Sequence, residues 1–365
     1  MTDLHPSCTK NNRPSNMTVH DRPQVLVTHP RNRLATYFGD EALARLREQA
    51  EVRLNPTDQD LAGQALVDAA CGCAVVIAYR QTPVDAAAFA ALANTLAVVR
   101  CAVDIRTIDV AAASRHGVLV TQASAGFMAA VSEWIVGVMV DLGRHISVAR
   151  AEYHASGTAQ PRMGRQLRGA VLGVIGYGQI SRYLCPLAQA LGLQVLVADP
   201  FATDVAPGLE HSSLDSLLSR ADFVVCLAPA NAETENMMDA KAFAAMRPGS
   251  FFVNASRGNL VDEAALLDAL NCGHLGGAAL DVGKAPDQMP SPELARHPLV
   301  IATPHIGGLT PPAIAHQALE TVAQTAQILQ GRIPPGAVNV EHAVRLQRWV
   351  QAALSRNVLG ERLAS

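Results

Sequence analysis

The chain has 365 residues, enough for two domains that each bury a sizeable core. Apolar residues make up 49% and charged residues 17%, so most of the chain must pack, and a net charge of −3 gives no field for nucleic acid or an anionic membrane. Seven cysteines without paired metal-ligand spacing are typical of free thiols in a reducing cytoplasm. We therefore expect a cytoplasmic protein with no metal site and with no nucleic-acid or membrane partner.

Three segments are assigned from their composition. Residues 1–23 are polar and contain three prolines, which predicts a disordered tail and not a secretory signal. Residues 131–149 form the longest apolar helix pattern, but three charged residues interrupt it, so a buried helix is expected and not a membrane span. Residues 346–365 are predicted to form a C-terminal tail or one further amphipathic helix.

Two series of alternating strand and helix patterns follow one another along the chain. The first runs from Gln24 to about residue 122, and the second begins at Val171 and ends near residue 304. Strands that alternate with helices indicate parallel sheets with helices on both faces, so the predicted fold class is α/β with two doubly wound parallel-sheet domains. A last helical pattern, residues 312–332, has no strand of its own and is expected to return to the first domain.

The second series opens with a glycine turn between a strand and a helix. Gly176, Gly178 and Ser181 form the pattern G-x-G-x-x-S, in which a serine replaces the usual third glycine. Gly176 allows a sharp turn, and Gly178 removes a side chain that would keep a pyrophosphate off the backbone. The helix that starts near Gln179 offers free N–H groups, so the turn and its apolar flanks predict a dinucleotide site.

The nature of the dinucleotide is indicated by the end of the next strand. Asp199 lies 21 residues after Gly178, where a carboxylate can accept both ribose hydroxyls of an adenosine. The following residues, 200–207, contain no Lys or Arg, so a 2′-phosphate would meet Asp199 and Asp204 with nothing basic nearby. The predicted cofactor is therefore NAD and not NADP.

Arg257 and His305 lie in loops that follow two later strands of the second series. Ligands bind outside the carboxyl ends of parallel strands, so both side chains are expected to face one crevice. A guanidinium can grip a planar carboxylate through two parallel hydrogen bonds, and an imidazole can give and take a hydroxyl proton. Two structural alternatives stay open: Arg257 as a helix cap or a partner of Asp262, and His305 as a hydrogen-bonded structural residue.

Several of these stretches resemble one enzyme family. LRGAVLGVIGYGQIS, RPGSFFVNASRGNLVDEAALLDAL, AALDV and ATPHIGG are similar to the D-isomer-specific 2-hydroxyacid dehydrogenases, and the resemblance covers about residues 23–339. It implies a Rossmann NAD-binding domain of residues 130–310, inserted in a flavodoxin-like substrate domain of residues 24–129 and 311–345.

The resemblance also implies roles for individual residues. Arg257 would anchor the substrate carboxylate, His305 would be the catalytic acid and base, and a homodimer would form through the helix near Val131 to Val148. The turn, the acidic residue and the strand-end loops together give the predicted cofactor site: Gly176, Gly178, Gln179, Ile180, Asp199, Ala228, Pro229, Ala255, Ser256, Arg257, Asp281, His305 and Gly307.

The first departure from the family pattern concerns the partner of His305. Members usually carry a glutamate five residues after the aspartate of the ALDV stretch, where it hydrogen-bonds the catalytic histidine and raises its pKa. Counting from Asp281 gives Pro286, which can neither ionise nor donate. We predict that Asp287 takes the catalytic partner role; Gln288 and a solvated loop aspartate are the alternatives.

The second departure lies in the first domain. The family's G-x-G-x-D-N loop aligns with residues 102–107, where Ala102 and Asp104 replace the two glycines and Arg106 and Thr107 replace the acid and the amide. Side chains at the glycine positions would change how closely the backbone approaches a ligand. Arg106 is either a new anion contact or a surface residue.

Three functions are compatible with this sequence. The leading one is an NAD-dependent oxidoreductase that transfers hydride between nicotinamide and a small 2-hydroxy or 2-keto acid. The loss of the glutamate also permits hydride transfer from another small anion, similar to formate or phosphite. A non-catalytic NAD-sensing or scaffolding protein on the same fold is the third, although the presence of both Arg257 and His305 argues against it.

Overall fold

The computed structural model describes residues 22–352, and these fall into two compact units. The first contains the residues up to Gly126 and those from Ile314 onward, and the second is Phe127–Ala313. The predicted tail lies outside the described residues except for its last two positions, where the Arg22 guanidinium donates to the carbonyls of Arg47 and Glu48.

The first unit is built on a five-stranded parallel sheet. Its strands are β1 (Gln24–Val27), β2 (Glu51–Leu54), β3 (Val75–Ala78), β4 (Ala97–Arg100) and β5 (Leu119–Gln122). They pair in the order β2-β1-β3-β4-β5, which is the flavodoxin-like order. The helices between them are α1 (Leu34–Tyr37), α2 (Asp40–Gln49), α3 (Gly63–Ala69), α4 (Ala86–Ala91) and α5 (Val110–Arg115).

The second unit is built on a seven-stranded parallel sheet. Its strands are β6 (Val171–Ile175), β7 (Gln194–Ala198), β8 (Glu210–His211), β9 (Phe223–Cys226), β10 (Phe251–Asn254), β11 (Gly277–Leu280) and β12 (Val300–Ala302). They pair in the order β12-β11-β10-β9-β6-β7-β8, so the chain reverses direction across the sheet between β6 and β9, as in Rossmann folds. The predicted fold class is confirmed; the two-residue strand β8 is not apparent from the sequence.

The second unit also holds seven helices and the start of an eighth. They are α6 (Met128–Arg144), α7 (Ile146–Ser156), α8 (Gln179–Ala190), α9 (Leu214–Arg220), α10 (Ala240–Ala245), α11 (Glu263–Asn271), α12 (Pro292–Ala295) and α13 (Pro311–Leu329), which continues into the first unit. The first turns of five helices are capped by an Asp or Ser side chain that accepts a backbone N–H: Asp85, Asp109, Ser213, Asp239 and Asp262.

Alternate residues of each strand face opposite helical layers, which explains why the strands read as continuous apolar runs. In the first unit, Val25 packs with α2 and with α13, whereas its neighbour Leu26 packs with α3 to α5. The helix α13 buries Val322 and Ile328 in the first of these clusters.

The sheet of the second unit is covered on both faces in the same way. Val174 lies in a cluster with α6 and α8, and Val224 lies in the opposite cluster with α9, α10 and α11. Each sheet is therefore packed between two layers of helices. This packing fixes the positions of the strand ends, where the loops begin.

The long apolar helix pattern is interrupted. His145 adopts φ of +55° and separates α6 from α7, so the prediction of a single buried helix over residues 131–149 is wrong. The reason is the difference in burial: α6 packs Ile135 and Met139 against the sheet, whereas α7 buries no residue. Within residues 22–352, no helix has the length and apolar character needed to cross a membrane.

The C-terminal segment is helical from residue 344 to residue 352, where the described chain ends. Leu346 is buried against the first unit, and the Arg345 side chain donates to the carbonyls of Ala93 and Thr95 at 3.1 Å each. This part of the predicted tail or helix at residues 346–365 is therefore a packed helix, and the remainder lies outside the described residues.

Candidate functional site

The glycine turn has the geometry expected of a dinucleotide loop. Gly176 follows β6, adopts φ of +90° and donates its N–H to the Ala198 carbonyl at 2.8 Å. A Cβ at Gly176 would lie 2.8 Å from the Cα of Ala228, so both backbone conformation and packing exclude any other residue. The turn thus brings the end of β6 against the loop after β9.

Gly178 serves a different purpose. It is the N-cap of the 12-residue helix α8, its φ of −83° is accessible to any residue, and a Cβ there would meet no atom within 4 Å. Neither the backbone conformation nor the internal packing requires a glycine at this position. The absence of a side chain instead leaves open space at the N-terminus of α8. That space is suited to an anion, because the N–H groups of the first turn point into it.

The rest of the motif supports the turn from below. Ser181 is buried, and its hydroxyl donates to the Gly176 carbonyl at 2.6 Å, which explains how serine replaces the third glycine. Gln179 is exposed at the start of α8, and Ile180 is partly buried against the core beneath the sheet.

Asp199 follows β7, and backbone hydrogen bonds hold its carboxylate. The N–H of Tyr177 donates to Oδ2 at 2.7 Å and the N–H of Phe201 donates to Oδ1 at 2.8 Å. The expectation that nothing basic lies near this carboxylate pair is wrong, since Arg182 of α8 forms an ion pair with Asp204 at 2.7 Å. The sequence window 200–207 missed it because the cation comes from the preceding helix.

The loops after β9 and β10 are joined by side-chain hydrogen bonds. The Ser256 hydroxyl donates to the carbonyl of buried Ala228 at 2.6 Å. Pro229 accepts the Thr234 hydroxyl at 2.7 Å, and Ala255 is partly buried against the core. The glycine turn is therefore packed against the loop after β9, and that loop is hydrogen-bonded to Ser256, the residue before Arg257.

Arg257 is held in extended backbone by a residue that the sequence reading missed. The buried amide of Asn254 donates to the Arg257 carbonyl at 2.9 Å and accepts the N–H of Ser256 at 3.1 Å. The Arg257 side chain is half-buried and donates to the Ser256 carbonyl at 2.8 Å. Asp262 caps α11 itself, so Arg257 is not required as a cap for that helix. A polar residue at the end of the apolar strand FFVN was the available signal for Asn254.

Asp281 organises the loop that carries His305. This carboxylate is 4% exposed and accepts three hydrogen bonds: from the Thr303 hydroxyl at 2.6 Å, the Ile306 N–H at 2.8 Å and the Gly307 N–H at 2.7 Å. A Cβ at Gly307 would lie 2.8 Å from Oδ2, so a glycine is needed for this approach. Asp281 and Gly307, predicted to contact the cofactor, are thus brought together beside His305.

One hydrogen bond of His305 is made with a main-chain atom. Its Nδ1 lies 3.0 Å from the carbonyl oxygen of Asp287, and since a carbonyl can only accept, Nδ1 carries the proton. The sequence predicts contact through the Asp287 carboxylate, whereas this hydrogen bond uses an oxygen that any residue would supply. Asp287, Gln288 and His305 all adopt left-handed backbone, with φ of +58°, +57° and +56°.

The strained loop of residues 283–290 is supported by its neighbours. A Cβ at Gly258 would lie 2.1 Å from the Gly283 carbonyl oxygen, so the two backbones are in direct contact. The Glu263 carboxylate accepts the Lys284 N–H at 3.0 Å, and the Lys284 ammonium donates to Asn236 at 2.9 Å. These contacts hold Gly283 and Lys284, at the start of the loop that contains Asp287, against residues that follow β9 and β10.

In the first unit, the altered loop of residues 102–107 is internally paired. Arg106 donates to both carboxylate oxygens of Asp104, with its closest contact at 2.7 Å, which favours the surface interpretation. Arg100 at the end of β4 is buried, donates to Thr82 and Thr107, and burial lowers its pKa to about 10. Over the described range 22–352, no group of three or more His, Cys, Asp or Glu is placed to hold a metal ion.

Comparison with known proteins identifies the family. Residues 136–307 match the family model described as D-isomer specific 2-hydroxyacid dehydrogenase, NAD binding domain. The chain belongs to the D-isomer-specific 2-hydroxyacid dehydrogenase family. The matched range contains the glycine turn, Asp199 and His305, and it confirms the predictions of the family and of NAD as the cofactor.

Individual members of the family are similar to this chain over most of its length. D-3-phosphoglycerate dehydrogenase of Mycobacterium tuberculosis (H37Rv) is 33% identical over 314 residues, which are 84% of this chain and 58% of that protein. D-3-phosphoglycerate dehydrogenase 2 of Saccharomyces cerevisiae is 35% identical over 264 residues, 68% of this chain and 56% of that protein. The chain therefore spans less than two thirds of the length of these relatives.

A solved structure supports the fold. The TT0316 protein of Thermus thermophilus superposes with a TM-score of 0.79 at 28% identity, and the match covers 86% of this chain and 99% of that one.

Proposed function

We propose that this chain is an NAD-dependent dehydrogenase that transfers hydride between the nicotinamide and a small 2-hydroxy or 2-keto acid. The observation that carries the proposal is the placement of two residues. His305 lies on a loop that follows β12 and is anchored by buried Asp281, and Arg257 follows β10, two strands away in the same sheet. Membership of the family supports it. We further infer that residues 127–313 are the NAD-binding domain and that the first unit is the substrate domain.

The fit of NAD rests on the turn and on Asp199. The open space at Gly178 and the N-terminus of α8 would receive the diphosphate, and the Asp199 carboxylate would accept the ribose hydroxyls. The strand-end residues Ala228, Pro229, Ala255 and Ser256 would line the nicotinamide half. Bound NAD supplies the group that accepts or donates hydride.

His305 would act as acid and base through Nε2. Donation of the Nδ1 proton to the Asp287 carbonyl selects the tautomer whose basic lone pair lies on Nε2. When a hydroxy acid is oxidised, Nε2 accepts the hydroxyl proton while hydride leaves the carbon that bears the hydroxyl. In the reverse reaction, Nε2 returns the proton to the carbonyl oxygen. Asp287 would take part through its main-chain oxygen.

Arg257 would bind the substrate carboxylate. A half-buried guanidinium can donate two parallel hydrogen bonds to a carboxylate and draw charge from the adjacent carbonyl. Asn254 would position it, because the amide fixes the backbone on both sides of the Ser256–Arg257 peptide.

The test is a screen of NADH oxidation with glyoxylate, pyruvate, hydroxypyruvate, phosphorylated and branched 2-keto acids, and of NAD reduction with D-3-phosphoglycerate and formate. Arg257→Ala should lower kcat/KM for the best substrate by roughly 10²–10³, since the substrate carboxylate loses its partner. His305→Gln should lower kcat by roughly 10²–10⁴. Lys241→Ala, which removes an exposed cation on α10 of the same unit, is the control.

Two outcomes would contradict the proposal. Equal activity in wild type and Arg257→Ala would show that Arg257 does not bind the substrate carboxylate. Binding of NADH with no turnover of any compound in the screen would instead favour the non-catalytic alternative.

We also propose a cytoplasmic homodimer. The resemblance implies dimerisation near Val131 to Val148, but α6 uses its apolar face within the chain, so α7 is the better candidate. It buries no residue, and Ile146 and Tyr153 are 51% and 59% exposed. Tyr153→Glu should shift the sedimentation of a dimer to that of a monomer, whereas an unchanged value would exclude this surface. Six free cysteines in the described chain support a reducing compartment.

A further inference from the structure

Arg182 is held beside the proposed ribose site by two contacts. Its guanidinium lies 2.7 Å from the Asp204 carboxylate, and its Cζ lies 4.4 Å from the centroid of the Tyr177 ring. The backbone N–H of the same tyrosine donates to Asp199. A cation and two carboxylates therefore meet at the end of β7, although they come from α8 and from the loop after that strand.

The charges at this place oppose an additional anion. Asp199 and Asp204 contribute two negative charges and Arg182 one positive charge, so the local balance is one negative charge. The ion pair holds the pKa of Asp204 below its usual range and that of Arg182 above it, and Asp199 adds to the latter effect. Asp204 and Arg182 are therefore both charged at neutral pH.

We propose that Asp204 determines cofactor specificity: by pairing with Arg182 it denies a guanidinium to the 2′-phosphate of NADP. This inference rests on the proposed placement of the adenosine ribose at Asp199. It differs from the usual account, in which the acidic residue at the strand end discriminates alone. Here the sequence carries the arginine that a 2′-phosphate needs, and a second acid occupies it.

The pair is able to open. Asp204 is 71% exposed and Arg182 is 43% exposed, and ion pairs as exposed as this one contribute little to stability because water and salt screen them. A 2′-phosphate brings a charge of about −1.5 to −2 and accepts hydrogen bonds from a guanidinium in parallel pairs. Without the Asp204 charge, Arg182 would therefore turn to the phosphate while it remains stacked on Tyr177.

The experiment measures binding to the full chain and needs no turnover. The probes are 5′-AMP and 2′,5′-ADP, which differ only in the 2′-phosphate, titrated by calorimetry. Asp204→Asn should tighten 2′,5′-ADP by about tenfold, the effect of one unit charge acting on a doubly charged phosphate across an exposed site. It should change 5′-AMP by less than about twofold.

Two further variants separate the causes. Asp204→Asn combined with Arg182→Gln should return the 2′,5′-ADP affinity to the wild-type value, because the released cation is gone. Glu152→Gln is the control: it breaks a similar exposed ion pair, between Glu152 of α7 and Arg162, and should leave both affinities unchanged. Added salt should reduce the gain in Asp204→Asn.

The inference is overturned if Asp204→Asn leaves the ratio of the two affinities unchanged, or if the double variant keeps the gain. Asp199→Ala distinguishes this from a failure of the proposed site. It should weaken 5′-AMP by about tenfold; if 5′-AMP binding is unaffected, the ribose does not lie at Asp199, and both the site assignment and this inference fall.

Discussion

Replacement of Asp281 by alanine is expected to release the loop that carries His305. The carboxylate accepts three hydrogen bonds from this loop and is 4% exposed, so water cannot replace it without rearrangement. A hydrogen bond to a charged group contributes about 1.5–3 kcal/mol. Partial entry of water keeps the total near the lower end, and we expect Asp281→Ala to cost about 4 kcal/mol.

The loss should be local before it is global. The N–H groups of Ile306 and Gly307 would lose their acceptor, so residues 303–308 should exchange their amide hydrogens at least tenfold faster. Since His305 lies inside that segment, kcat should fall by roughly a hundredfold. Urea unfolding, hydrogen exchange and steady-state kinetics measure the three effects on one preparation. Asp281→Asn, which keeps one acceptor oxygen, should fall between wild type and Asp281→Ala.

The control is Asp262→Ala, which removes a carboxylate that caps α11 through two backbone N–H groups. It should cost about 1 kcal/mol and leave residues 303–308 unchanged. If Asp281→Ala stays within about 1 kcal/mol of wild type and exchange in this segment does not change, the carboxylate does not hold the loop and the reasoning is refuted.

Three further changes follow from the same structure. Gly176→Ala should destabilise the fold by roughly 3 kcal/mol or more in urea, whereas Gly178→Ala should change stability by less than about 1 kcal/mol yet weaken NAD at least tenfold; equal effects would contradict their different roles. Burial lowers the pKa of His29 to about 3, so the folded state binds fewer protons than the unfolded state between pH 3 and 6.5, and stability falls as pH falls. This group should cost about 2 kcal/mol between pH 7 and pH 5, and His29→Phe should abolish that component of the unfolding profile. Asp287→Asn keeps the main-chain carbonyl and removes the side-chain charge: a kcat within about twofold of wild type would show that the carbonyl suffices, whereas a large loss of kcat or a shifted pH profile would return the role to the carboxylate.

Much of the proposed cofactor site was predictable because its determinants are local. Gly176, Gly178 and Asp199 occupy fixed distances along one strand-helix-strand unit, and continuous apolar runs mark the strands that surround them. Ser181 follows the same logic, since a small hydroxyl can replace a glycine where only one backbone carbonyl needs a donor. The roles of these residues depend on neighbours in the sequence, so they can be predicted without knowledge of the fold.

The break at His145 shows where local pattern is insufficient. The apolar and polar residues on both sides continue one helical period, but only α6 has a sheet to pack against. Arg182 and Asp204 give a second case, because a window after β7 does not contain a residue of the preceding helix.

The sequence by itself determined the α/β class and predicted the position of the glycine turn and the candidate pair Arg257 and His305. Only the tertiary structure decided that Asp281 anchors the histidine loop and that the main-chain carbonyl of Asp287 accepts the Nδ1 proton. The physical reason is that every residue carries the same carbonyl, so its identity as a partner leaves no trace in the side-chain sequence. Which carbonyl reaches an imidazole depends on the packing of loops that are distant along the chain.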